Sequence, residues 1–243
     1  MRTSNKILLG FFATAFLIPL FILMSFRSMI KKGQFVAMKD EQYNGGNHRS
    51  GFLKPYKVIK LVSSGGRLLK CNLQYSDSAY YDYYNATDSV RIYQQADTVF
   101  VKYINVSGEN GGHEQFRDEL SVTLKLPSIT NVVVENAEAT ILPGADTTAY
   151  GDLYAEVYGD GLLRIGAKQT LQKTNKLALK TNDGEVVFGK STQIDELSLD
   201  VNGSTSVIIE EGAAIDNIKG NISDSSSIKA NWKYLKKFLP LTK

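Results

Sequence analysis

LALKTNDGEVVFG runs from Leu177 to Gly189, and LSLDVNGSTSVII runs from Leu197 to Ile209. Each opens on an apolar-x-apolar triplet, crosses a polar bend that contains Asn, and closes on a second apolar strand. Alternation with period two marks a strand with one buried face, so each segment predicts two short strands joined at a corner. The frame extends in both directions. Val132, Leu153, Leu177, Leu197 and Ile218 occupy its first position at spacings of 21, 24, 20 and 21 residues. The third position holds Val134, Ala155, Leu179, Leu199 and Gly220, and the eleventh Leu142, Leu163, Val187, Val207 and Ile228.

One unit of this length cannot bury its inner face alone. Stacked units bury a continuous core and pair their strands about 4.8 Å apart. Residues 128–230 therefore predict a β-solenoid of the parallel β-helix type, with repeats of 20–24 residues and with Leu177, Leu179 and Val187 stacked on Leu197, Leu199 and Val207. Asn182 and Asn202 fall at one corner. The fourth position carries Glu135, Glu156, Lys180, Asp200 and Asn221, which points outward and makes Glu156, Lys180 and Asp200 an alternating-sign ladder. An open end of such a stack needs a cover, because an unpaired strand edge recruits other chains. The last segment, 231–243, supplies one in NWKYLKKFLP, with Trp232, Tyr234, Leu235, Phe238 and Leu239 apolar and a Pro to stop pairing.

Before Pro127 the chain also reads as strands. YKVIKLVS, RLLKCNLQYS, VRIYQ, TVFVKYINV and ELSVTLKLP follow one another between turn signals over 56–127, and residues 33–55 read as a linker with a first strand. The fold class is all-β, with few helices. At the N-terminus, Ile7–Met24 is an uncharged run of 18 residues. As a helix it would be about 27 Å long, close to the ~30 Å bilayer core. With no small-x-small site after it, residues 1–32 read as an uncleaved signal anchor that spans the membrane over 7–26. The expected location is the cell envelope, as a single-pass membrane protein whose C-terminal domain is exported to the periplasm or the surface.

The net charge of +3 hides a split. Arg2, Lys6, Arg27, Lys31 and Lys32 lie in the first 32 residues, and five Lys lie in 229–243. The 28 basic residues less these ten leave 18 against 25 acidic, a body of net −7. An acidic body does not suit nucleic acid, which needs a basic face. Cys71 is the single cysteine, so no internal disulfide forms; in RLLKCNLQY it reads as a small buried hydrophobe. His48 and His113 sit in Gly-rich polar segments without a His or Cys at ligand spacing, and read as loop surface with no metal site. The acids are scattered and only Glu135 and Glu156 are placed to stack, so no catalytic pair is assigned and no cofactor is implied.

The remaining candidate is QYSDSAYYDYYN, residues 74–85, with Tyr75, Tyr80, Tyr81, Tyr83 and Tyr84. A tyrosine combines an apolar face with a polar tip and suits a recognition surface. The competing reading is a strand whose tyrosines cover the junction with the repeats. A glycan or an envelope protein is the partner this stretch would take.

Three segments carry a family resemblance. TLKLPSITNVVVENAEATI at 123–141, the L-x-L-x-x-N-containing units at 177–187 and 197–207, and ISDSSSIKA at 222–230 resemble the auto-transporter adhesin head GIN domain family, a domain of unknown function. The likeness covers about 55–230, although this chain has few of the glycines typical of that family's repeats. MRTSNKILLG before a single anchor is similar to the start of many short envelope proteins of the Bacteroidota. The resemblance implies an exported β-helical domain and an adhesin-like role, and it brings no catalytic residues. The expected function is a non-catalytic envelope binding module, with a glycan-active β-helix enzyme or an oligomeric scaffold as alternatives.

Overall fold

The structure is a computed structural model that describes residues 17–18, 48–64, 69–84, 90–104, 120–143, 151–166 and 171–238. The chain divides into two compact units, Met1–Glu41 and Gln42–Lys243. Of the anchor expected over 7–26, only Leu17 and Ile18 fall among the described residues, and both are helical and exposed. Among the described residues no helix is long and apolar enough to cross a membrane.

The second unit is built from strands. They are β1 (His48–Phe52), β2 (Val58–Ser63), β3 (Leu69–Tyr75), β4 (Tyr80–Tyr84), β5 (Val90–Gln95), β6 (Thr98–Tyr103), β7 (Leu120–Leu126), β8 (Asn131–Glu135), β9 (Glu138–Leu142), β10 (Leu153–Tyr158), β11 (Leu162–Ile165), β12 (Gln172–Asn182), β13 (Glu185–Phe188), β14 (Thr192–Asn202), β15 (Ser206–Ile209), β16 (Ala214–Ile222) and β17 (Ser227–Lys229). A helix, Trp232–Phe238, follows. The first sheet has the order β1-β4-β7-β3-β9-β11-β13-β15-β17 and the second β16-β14-β12-β10-β8-β2-β6-β5. Both sheets are mixed, and neither closes on itself. From β8 onward the chain alternates between the sheets, and each strand pairs in parallel with the strand two places on.

The inward rows are continuous. In the second sheet Val99, Ile59, Val132, Ala155, Leu179, Leu199 and Gly220 stand side by side. In the first, Leu124, Leu73, Ile141, Ile165, Phe188 and Ile209 do the same. Apart from Gly220, which is exposed and has no side chain, these residues are buried, and they fill the space between the sheets. Full burial of a Val, Leu or Ile contributes roughly 1.5–3 kcal/mol, so the rows hold the stack together.

The expected register holds for Leu153, Leu177, Leu197 and Ile218, which stand opposite one another, and for Asn182 opposite Asn202. It needs three corrections, one of which is that Leu163 stands opposite Ala139 and not Leu142. Val132 lies opposite Ala155, not Leu153. A slip of two residues keeps the same face buried, so alternation does not detect it. Glu135 consequently stands opposite Tyr158 and not Glu156, and pairs with Lys60 at 3.3 Å. Third, Val186 and not Val187 lies opposite Val207 and Leu163. The bend after Asn182 has two residues before Glu185, whereas the bend after Asn202 has three before Ser206. A one-residue difference in bend length moves a whole strand by one place.

That difference in length follows a rule. Asn136, Gly159, Asp183 and Gly203 each follow aligned strand ends and each has positive φ, at 52, 58, 62 and 63°. Only Gly, Asn and Asp enter this region readily. The short bends carry Asn136 and Asp183, and the long ones Gly159 and Gly203. Each short bend serves the long bend beside it: Asp160 N donates to Asn136 Oδ1 at 3.0 Å, and Ser204 N donates to Asp183 Oδ1 at 2.8 Å.

The half before Pro127 belongs to the same stack. β2 and β6 join the second sheet in parallel, and β3 and β7 join the first. β1, β4 and β5 are antiparallel additions at that end. The expected Cys71 is buried in β3. Desolvation pushes its thiol far above the usual range, which leaves it unreactive. At the other end Tyr234 and Phe238 of the helix are buried, while Trp232 is exposed. Tyr234 Oη donates to Ala213 O at 2.6 Å and accepts from Ile215 N at 3.2 Å. Lys237 Nζ donates to Ile215 O at 3.0 Å. The helix thus satisfies backbone groups of β16, the outermost strand of the second sheet.

Candidate functional site

The tyrosine-rich stretch folds as β4, between β1 and β7. Its alternation sends the tyrosines to different places. Tyr83 is buried in the core, and Tyr81 packs against that core half-buried. Tyr80 turns to the other face, where it meets Phe52 edge-on with ring centroids 5.6 Å apart. Tyr75 lies at the end of β3 and donates from Oη to Ile129 O at 3.3 Å. Tyr84 ends β4, and its side chain lies outside the described residues. Tyr80 therefore does not share a platform with Tyr81 and Tyr83, because alternate residues of a strand face opposite sides. His48 lies in β1, not in a loop as expected, with Nε2 2.5 Å from Asp82 Oδ1. His113 lies outside the described residues.

Tyr81 does reach a cavity. A cleft of about 470 Å³ opens at the antiparallel end, lined by Phe52, Leu53, Lys54, Tyr81, Ile92, Tyr93, Gln94 and Ala96. β1 and β5, the outermost strands of the two sheets there, carry Phe52 and Tyr93 on its rim. Phe52 is 45% exposed and Tyr93 43%, with Phe52 on the Tyr80 side of its strand. Tyr93 is fixed by stacking on Phe100, with centroids 5.0 Å apart and planes 7° apart. Tyr81 lies over Gly51, where a Cβ would come within 2.7 Å of the Tyr81 ring. Gly51 is therefore needed for the ring's position.

One side chain ties the two sheets together across this end. Gln94 Oε1 accepts from Lys54 N at 2.7 Å, and its Nε2 donates to Lys54 O at 3.0 Å. The amide imitates a strand partner and holds Leu53 and Lys54 against β5. The described lining contains no carboxylate, so the cleft offers apolar contact, ring faces and one cation. Among the described residues no group of three His, Cys, Asp or Glu is placed to hold a metal ion. Sequence reasoning found Tyr81 but missed Phe52, Ile92 and Tyr93. They lie on two strands far apart in the chain, and only the pairing of β1 with β4 and of β5 with β6 brings them together.

No family model matches the chain, and none of the curated proteins does. Solved structures do resemble it. A protein from Parabacteroides distasonis provisionally named an adhesin has a TM-score of 0.51 at 15% identity, over 75% of this chain and 72% of that one. A second, from Parabacteroides merdae and provisionally named the same, has 0.49 at 14%, over 76% and 81%. A third, from Parabacteroides distasonis, is provisionally named a lipid-binding protein and has 0.49 at 16%, over 77% and 74%. At such identities the likeness is one of fold: this chain shares its β architecture with the Parabacteroides distasonis protein provisionally named an adhesin.

Proposed function

We propose that the protein is a non-catalytic, adhesin-like binding module of the cell envelope, whose stacked strand pairs form a short β-solenoid and whose aromatic cleft takes an extended apolar segment of an envelope protein. The cleft carries this reading. Its walls are Phe52, Leu53, Tyr81, Ile92 and Tyr93, and it opens between the outermost strands β1 and β5. An added segment could pair its backbone along such a strand and place alternate side chains against the rings. The lining supplies no acid pair for hydrolysis. The shared fold with provisionally named adhesins agrees with a binding role. The uncharged run Ile7–Met24 supports the membrane as a further partner, through residues 7–26, with the β unit exported.

The cleft is tested with the full chain in detergent micelles, titrated with extended apolar hexapeptides and, separately, with glycans. Peptide binding that Tyr93→Ala or Phe52→Ala weakens supports the reading. Glycan binding with the same dependence replaces the partner class, and no binding of either kind removes the cleft as the site. Protease accessibility of the β unit in intact cells, with and without outer-layer permeabilisation, tests the export.

A further inference from the structure

The outward face of the second sheet carries a second arrangement, away from the cleft. On β10 the outward residues are Tyr154, Glu156 and Tyr158. Tyr154 Oη donates to Glu156 Oε1 at 2.6 Å, and Tyr158 Oη donates to Glu156 Oε2. One carboxylate thereby fixes two aromatic rings, one on each side of it. Each carboxylate oxygen has used one lone pair and keeps room for another donor. Tyr154 is 39% exposed, and the neighbours across from it are the small residues Ala178 and then Ser198. Its ring is therefore not covered by a bulky neighbour on that side.

The row through Glu156 continues as Lys180, Asp200 and Asn221, and the row through Tyr158 as Asn182 and Asn202. These groups place hydrogen-bond donors and acceptors at the ~4.8 Å strand spacing. Charge decides the class of ligand. Lys60 and Lys180 both lie close enough to favour the ionised Glu156, so the carboxylate does not stand alone to attract a cation. Glu156 and Asp200 in turn disfavour an anion. What fits is an uncharged ligand with one apolar face for the rings and adjacent hydroxyls for the carboxylate, which describes a pyranose ring.

We infer that Tyr154, Glu156 and Tyr158 form a saccharide subsite on the outer face of the second sheet: one tyrosine ring stacks on a sugar, Glu156 accepts from its adjacent hydroxyls, and Lys180, Asp200, Asn182 and Asn202 meet the following residues of a neutral glycan. The two tyrosine–carboxylate hydrogen bonds set the rings before the ligand arrives, which lowers the entropic cost of binding.

The test uses the full chain in detergent micelles and calorimetric titration with cellopentaose, maltopentaose and chitin pentasaccharide, beside a cationic glucosamine pentamer and an anionic galacturonate pentamer. At least one neutral pentasaccharide should bind in the micromolar to low millimolar range. Tyr154→Ala and Glu156→Gln should each weaken it roughly tenfold, or by about 1.4 kcal/mol, and Tyr154→Phe should lose less than Tyr154→Ala. Tyr93→Ala in the cleft should leave it unchanged, which separates this site from the other. The melting transition of each variant checks its fold, and Glu156→Gln preserves side-chain shape. The inference is overturned if no neutral pentasaccharide binds, if a charged pentamer binds tighter, or if binding survives both Tyr154→Ala and Glu156→Gln.

Discussion

Gly159 and Gly203 show how single residues set the stack. Each has positive φ, and a Cβ on either would fall 2.3 and 2.2 Å from the side-chain oxygen of Asn136 and Asp183 respectively. Gly159→Ala and Gly203→Ala should each lower stability by about 1–3 kcal/mol, measured by urea denaturation. Asn136→Gly in the Gly159→Ala background should recover part of the loss, because it removes the obstructing oxygen. The Asn and Gly bends were visible in the sequence as polar corners. Their division into two lengths was not, because it depends on a hydrogen bond from one level to the next.

Glu156 gives a second prediction at this scale. The hydrogen bond from Tyr154, then that from Tyr158, holds its carboxyl below the usual range. The same bonds push both tyrosine hydroxyls up to about 12. A depressed acid stabilises the fold above its unfolded pKa and loses that contribution as pH falls through the folded value. A raised tyrosine stabilises below its unfolded pKa of 10.0 and loses the contribution as pH rises toward about 12. A tyrosinate absorbance titration should show two hydroxyls ionising near 12, and Glu156→Gln should return both toward 10.0. If the two remain high in Glu156→Gln, the carboxylate is not the cause.

At the scale of elements, the sequence located β2, β3, β5, β6 and β7 to within a few residues, because each alternates cleanly between buried and exposed positions. It did not show that β2 and β3 stack on β8 and β9. The inserted antiparallel strands β4 and β5 break the spacing there, so no repeat is visible before Pro127. The C-terminal helix makes a separate prediction. Tyr234→Phe removes the hydroxyl that bridges Ala213 O and Ile215 N. It should cost about 1–3 kcal/mol and speed amide exchange at Ile215, read by hydrogen-exchange NMR. Unchanged exchange would mean that the helix does not protect this edge. Likewise, Gly51→Ala should displace the Tyr81 ring and weaken binding in the cleft, with only a small change in melting temperature, since the obstructing atoms are the far end of a side chain.

At the scale of the whole strand-built unit, each strand touches mainly the strands on either side of it in its sheet. A core residue in the middle of the stack should therefore matter more than its counterpart at the end. Leu197, fully buried in β14 between β12 and β16, should cost about 2–5 kcal/mol on Leu197→Ala. Ile218, half-buried on the outermost strand, should cost about 1 kcal/mol or less on Ile218→Ala. Equal losses at the two sites in denaturant titrations would contradict a stack with nearest-neighbour support.

The sequence by itself determined most of the strands, their buried faces and the polar corners, because these follow from local alternation and turn chemistry. Tertiary structure alone decided which strands lie side by side. A slip of two residues leaves every side chain on its own face, so Val132 opposite Ala155 satisfies the same pattern as Val132 opposite Leu153. The candidate sites depend on that choice. Phe52, Tyr81 and Tyr93 line one cleft only through the pairing of β1, β4, β5 and β6, and on its β8 side Glu156 faces Val133 rather than Glu135 only because of the register of β8 and β10.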